Sequence, residues 1–313
     1  MRHSDKRLNL ITAVSALAFI LGALFFPSAL ETASIWLVVL SVLVIGIPHG
    51  AIDHIMAAEL YSLNQTLKDH LLFYASYLIV MVIIGALWII LPEAGMALFL
   101  IISIYHFGQA DMEDFIKKHH PVNRLFYLSR GLLIIGLIVF SDPLTTYPIM
   151  ADAMRIDTMV FSEFMPAANP SLWAVISIYY VTALLGVFTG WIDNKIKYLA
   201  DSILLTIFLL ITGPLIGFAI YFALWHSAGH INEMREFFES RGKSLSVAQF
   251  YKKALPFTLV SIAGLALLLM INVQINLENQ FLSLMFILIS VLTLPHMLIV
   301  EKMYAEKTLS DSN

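Results

Sequence analysis

The sequence predicts an all-α, polytopic integral membrane protein, a helix bundle of about ten transmembrane spans with both termini in the cytoplasm. Three observations carry that expectation. Of 313 residues, 59% are hydrophobic and 13% charged, too apolar a balance for a water-facing fold. The apolar residues are gathered into long runs, and a helix of about 20 such residues crosses roughly 30 Å of hydrocarbon while satisfying its own backbone. Lysine and arginine collect on alternate connections, as the positive-inside bias requires.

The first run, Leu8 to Phe26, follows Arg2, Lys6 and Arg7. It begins like a signal peptide, but it is long and Pro27-Ser28-Ala29 is a poor cleavage site, so it is read as a span. Ile35 to His49 is shorter and ends where Gly46, Pro48 and Gly50 predict a break. Leu71 to Leu91, Ala94 to Ala110 and Leu125 to Phe140 follow, and then a long acidic, proline-bearing connection from about Ser141 to Ser171. Leu172 to Gly190 is the sixth span. Tyr198 to Thr212 and Leu215 to Ile231 are separated only by Gly213-Pro214, which reads either as a kink in one helix or as a turn between two. A kink would place Arg235, Arg241, Lys243, Lys252 and Lys253 outside, so charge favours the turn. Leu255 to Ile271 and Phe281 to Val300 complete the set.

Alternating the connections puts Arg2, Lys6, Arg7, Lys68, Lys117, Lys118, Arg124, Lys195, Lys197, Arg235, Arg241, Lys243, Lys252, Lys253, Lys302 and Lys307 on the cytoplasmic side, with Arg130 near the inner end of its helix. The other side holds Arg155 beside Glu31, Glu93, Asp142, Asp152, Asp157, Glu163 and Glu278. No repeat or long linker divides the chain, so residues 1–313 read as a single integral-membrane domain ending in a short polar tail, 302–313. A net charge of −4 with no run of five like charges argues against nucleic acid as a partner. The absence of cysteine removes thiolate chemistry, so a metal must sit on His, Asp or Glu. There is no HExxH box, G-x-S-x-G elbow, Walker loop or G-x-G-x-x-G turn. The partner is the lipid bilayer or something dissolved in it.

Ionisable side chains inside a bilayer are costly, so the ten histidines sort by position. His3, His70, His119 and His120 fall in hydrophilic stretches and read as solvated. His49 and His54 end the second span, His106 the fourth, His226 and His230 the eighth, and His296 the tenth, all at cytoplasmic ends of even-numbered helices. His226 and His230, four apart, lie on one helical face, about 40° and 6 Å from each other, which suits two ligands of one metal. For His49 two readings stand: an irregular turn aiming it at a buried site, or a proline-kinked helix whose histidines cap carbonyls. His106 and His296, each alone on its helix, are more often packing residues. Neutral imidazoles suit Fe, Zn, Cu or Ni. Asp53, Asp111, Glu233 and Glu301 are placed either to orient imidazole N–H groups or simply to be solvated at the interface.

Pro48-His49-Gly50-Ala51-Ile52-Asp53-His54, Tyr105-His106-Phe107-Gly108-Gln109-Ala110-Asp111, Trp225-His226-Ser227-Ala228-Gly229-His230 and Leu294-Pro295-His296 together resemble the Brp/Blh family of microbial membrane β-carotene 15,15′-dioxygenases. The resemblance covers about residues 46–301 and rests on the joint order of the four motifs. It implies cleavage of β-carotene by O2 at the central double bond into two retinals, in the cell membrane of an organism that also makes a rhodopsin to receive the product. It further implies that Fe(II) is held by His49, His106, His226 and His230, with His54 and His296 outside the ligand set. An N-terminal helix ahead of the first motif departs from the family pattern. Four imidazoles on Fe(II) would leave one or two positions open for O2. A metal near the cytoplasmic helix ends would set the polyene oblique or nearly parallel to the membrane plane. Two other functions compete: a di-iron lipid desaturase or hydroxylase, which would recruit His54, His296 and carboxylates, and a metal or proton transporter, which the scarcity of ionisable groups in the outer halves of the spans disfavours.

Overall fold

The computed structural model describes residues 6–63, 66–116, 120–274 and 281–311. Arg2, His3, Lys117, Lys118, His119 and Glu278, which enter the readings above, lie outside the described residues. Among the described residues there is no strand, only one isolated bridge between Ile116 and Ile192.

Helix α1 is Lys6–Phe25. The chain bends at Phe26 (φ −136°, ψ 50°), and Pro27 opens α2, Pro27–Leu40, at a position where its missing N–H has no helical partner to lose. The segment before Ile35 is thus helix, where the sequence predicts a connection. The break expected around Gly46 takes the form of a π-helical run, Ser41–Gly46, followed by α3 (Ile47–Gly50), a turn at Ala51-Ile52, and α4 (Asp53–Leu60). Thr66 caps α5, Leu67–Ile90, by accepting from the Asp69 N–H at 3.2 Å. Then come α6, Pro92–Met112, and α7, Asn123–Phe140. The long acidic connection is itself folded, into α8 (Pro143–Met154) and α9 (Thr158–Ser162), before α10, Met165–Phe188.

α11 is Lys195–Ile220, with Gly213 at φ 74°, ψ 177° inside it. That backbone conformation is open almost only to glycine. A Cβ on Gly217 would lie 3.7 Å from the Cα of Leu209, eight residues earlier, whereas a straight helix separates such residues by about 12 Å. Gly213-Pro214 is therefore a fold-back, the turn that charge favoured. A second π-helical run, Tyr221–Ser227, leads into α12 (Ala228–Ser240), then α13 (Val247–Gln274) and α14 (Phe281–Asp311). The expected polar tail is a continuation of α14 as far as Asp311, with Met303 and Tyr304 buried.

Eight helical runs among the described residues are long and apolar enough to cross a membrane. One of them, Lys195–Ser240, is the run that folds back at Gly213. α6, read as a span from sequence, is not among the eight, and its last turns carry His106, Gln109 and Asp111.

The chain divides into two compact units. The first comprises Met1–Val42, Leu100–Ala151 and Ile156–His230. In it α10 packs along α7, and α11 packs on α1, α2 and α7. The second comprises Leu43–Phe99, Asp152–Arg155 and Ile231–Asn313. There α14 packs on α5 and α4, α13 packs on α3 and α14, and Met56, Met234, Phe238, Phe250 and Met303 form part of a buried core.

Candidate metal centre

In the first unit α6 and α7 cross with their backbones in contact. A Cβ on Gly108 would fall 1.7 Å from the Tyr127 carbonyl oxygen, and one on Gly131 would fall 1.6 Å from that of Ile104. Only glycine at both positions permits this approach, as at close crossings of membrane helices generally. The crossing fixes the last turns of α6, and so the position of His106 two residues before Gly108.

His106 is buried together with His226 and His230. Ring centroids lie 4.9 Å apart for His106 and His226, 5.0 Å for His226 and His230, and 5.4 Å for His106 and His230. His106 and His230 are nearly parallel, 16° between planes, and His226 stands edge-on to both at 80° and 77°. Each offers a ring nitrogen within 4.8 Å of the others, close enough to converge on one ion with a small adjustment of the rings. A metal bound at roughly 2.1 Å holds two nitrogens about 3.4 Å apart at a tetrahedral angle and about 4.2 Å apart across the ion. A buried, all-imidazole set with no sulfur suits a first-row divalent ion. Phe107 lies 4.5 Å and Phe222 5.7 Å from the His226 ring, giving that side an apolar wall.

His226 belongs to the second π-helical run, a conformation found mostly as short bulges at functional sites. Rings four residues apart pair along it: Phe222 stacks near-parallel on His226 at 15°, and Tyr221 on Trp225 at 25°. Behind Tyr221 and Trp225 lies a group of buried charges that the sequence does not single out as a group. Arg130, 1% exposed, donates from Nε to Asp111 at 3.0 Å and from Nη2 to Asp201 at 2.7 Å. Its Nη1 donates to the Tyr179 hydroxyl at 3.0 Å and to Ser202 at 3.2 Å. Tyr221 donates to Asp111 at 3.2 Å and the Trp225 indole to Asp201 at 3.2 Å. Asp111 thus accepts from Arg130 and Tyr221, whereas the sequence offered it as an imidazole partner. A charge of each sign within predicted spans, Arg130 and Asp201, was the available signal for this group.

In the second unit His49 is buried in α3, its ring edge-on to His296 with centroids 4.8 Å apart. Asp53 holds Nδ1 of His296 at 2.9 and 3.1 Å and also accepts from Tyr77 at 2.8 Å. Asp53 therefore does orient an imidazole, that of His296, which the sequence reading kept out of the ligand set. His54 is half-buried against Phe257 at 4.5 Å. Glu233 accepts from Tyr304 at 2.7 Å.

The family described as "Beta-carotene 15,15'-dioxygenase" matches residues 40–304, a stretch that holds the three clustered histidines and His49. A protein of that name from an uncultured marine bacterium, 66A03, is 24% identical over 271 residues, covering 85% of this chain and 92% of its own. A probable β-carotene 15,15′-dioxygenase, Blh, of Halobacterium salinarum is 25% identical over 316 residues, covering 92% of this chain and 88% of its own. No solved structure matches. With a match that spans most of its length and takes in every motif singled out above, the chain belongs to the β-carotene 15,15′-dioxygenase family.

Proposed function

We propose that the protein cleaves β-carotene at its central 15,15′ double bond, using O2 and a non-haem Fe(II), to give two molecules of all-trans-retinal. The observation that carries this is the meeting of three buried imidazoles, His106, His226 and His230, inside the family-matched region. Following the resemblance of the Pro48-His49-Gly50 box, His49 is the fourth ligand in this proposal. Iron bound to neutral imidazoles supplies a centre at which O2 is activated. The overall reaction balances without outside electrons, because one C=C is broken and each carbon receives one oxygen atom of O2.

The residues of the chain contribute position and dryness. His106, His226 and His230 present nitrogen donors from a rigid frame, and Phe107 and Phe222 keep water from the side of His226 that they cover. A polyene partitions into the bilayer and reaches the protein from within it, which suits a chain so largely made of apolar helices. In this proposal the protein is multi-pass in the cell membrane, both termini are cytoplasmic, and retinal passes to a rhodopsin.

The test is expression in bacteria that accumulate β-carotene. Loss of orange colour with formation of retinal is expected. His106→Ala or His226→Ala should abolish it, by at least about 100-fold, while the protein level persists. Unchanged pigment in the presence of folded protein would reject the proposal. One observation favours the di-iron alternative: the second unit carries its own histidine pair, His49 and His296, backed by Asp53. Iron counting separates the two, one atom per chain for carotene cleavage and two for a di-iron lipid oxidase.

A further inference from the structure

The buried charges around Arg130 form a two-sided clamp. Each carboxylate divides its oxygens in the same way. Asp111 gives Oδ2 to the guanidinium and Oδ1 to Tyr221, and Asp201 gives Oδ2 to the guanidinium and Oδ1 to Trp225. Tyr221 and Trp225 form one face of the π-helical run, and Phe222 and His226 form another. Asp111 lies on α6 with His106. One planar guanidinium thus joins Asp111 of α6 to Asp201 of α11, and these two carboxylates hold two points, four residues apart, on the run that carries His226. Two attachments on one face of a helical segment fix its rotation about its own axis, which a single attachment does not.

We propose that Arg130, acting through Asp111 and Asp201, is a positioning residue that sets the rotation of the Tyr221–Ser227 run and thereby aims His226 at the point where His106 and His230 converge. This rests on the metal-binding reading above. Lysine cannot substitute fully, because the arrangement needs donors at fixed angles to reach two carboxylates at once. Residues that orient metal ligands typically change metal affinity 10- to 100-fold when replaced.

The test uses Co(II), whose visible ligand-field bands report coordination geometry, titrated into the purified full-length chain in detergent. Arg130→Met is expected to weaken Co(II) binding about 10- to 100-fold and to shift the bands, with Arg130→Lys recovering part of the loss. The double variant Tyr221→Phe, Trp225→Phe removes the links to the run and part of the indole that stacks on Phe208, while Arg130 keeps both carboxylates, so it serves if Arg130→Met does not fold. It too should weaken binding and move the bands at unchanged helical circular dichroism. Leu137→Ala, a buried change on the same helix two turns beyond Arg130, should lower thermal stability yet leave the bands in place. A folded double variant with wild-type affinity and wild-type bands would overturn the inference. Wild-type protein that binds no Co(II), or His226→Ala that binds it equally well, would instead show the metal centre itself to be wrong, and the clamp's role would fall with it.

Discussion

Gly108 shows how a residue without a side chain governs residues that have one. Its alanine variant would drive a methyl group into the Tyr127 carbonyl, so α6 and α7 would have to part. Gly108→Ala should cost about 3 kcal/mol or more in unfolding experiments and reduce bound metal, because His106 moves with its helix. Gly264→Ala, where a methyl group meets nothing within 4 Å, should be neutral or stabilising by less than about 1 kcal/mol. The histidines were legible in the sequence because imidazole in an apolar run is rare and has few purposes. The burial of Arg130 was not legible, because a linear count shows only that it stands near a helix end. Its burial depends on Asp201, 71 residues later, a pairing that no local pattern announces.

Helices were found where apolar runs predicted them, and the differences have local causes. The sequence predicts a connection between Phe26 and Ile35, but proline starts a helix as readily as it stops one, and Pro27 opens α2. The polar residues after Lys302 were read as a tail, yet Met303 and Tyr304 anchor them to a core as one more turn of α14 and beyond. The π-helical run around His226 was invisible, since an extra residue in a turn leaves the composition unchanged. It is also the most exacting element. Deleting Ala223 would restore α-helical pitch and rotate the preceding residues about 100° relative to those that follow. Tyr221 would then leave its carboxylate. Retinal formation should fall below detection while helical circular dichroism stays within a few per cent, and retained activity would show that the bulge is dispensable.

The positive-inside bias assigns Lys195, Lys197, Arg235, Arg241 and Lys243 to the cytoplasm, an expectation open to direct test. The natural chain has no cysteine, so single replacements can be probed directly. In intact cells an impermeant thiol reagent should label Ser162→Cys, in the acidic connection, and miss Ser244→Cys, between α12 and α13, until the membrane is opened. Labelling of Ser244→Cys from outside would invert the orientation derived from charge. Charge asymmetry was legible from sequence, but the partition into two units was not, since each is assembled from distant stretches of chain.

The order in which the ribosome delivers the clamp matters to how it is made. Asp111 emerges 19 residues ahead of Arg130, but Asp201 follows only 71 residues after it. During synthesis the nascent α7 must therefore enter the translocon with its guanidinium matched by a single carboxylate. The second counter-charge arrives with α11, and Tyr221 and Trp225 come later still. Completion of the clamp is thus a late event, gated by the threading of α11 and the segment behind it, and a chain arrested before that point would leave guanidinium N–H donors without their acceptors Asp201 and Ser202, a ready mark for quality-control proteases.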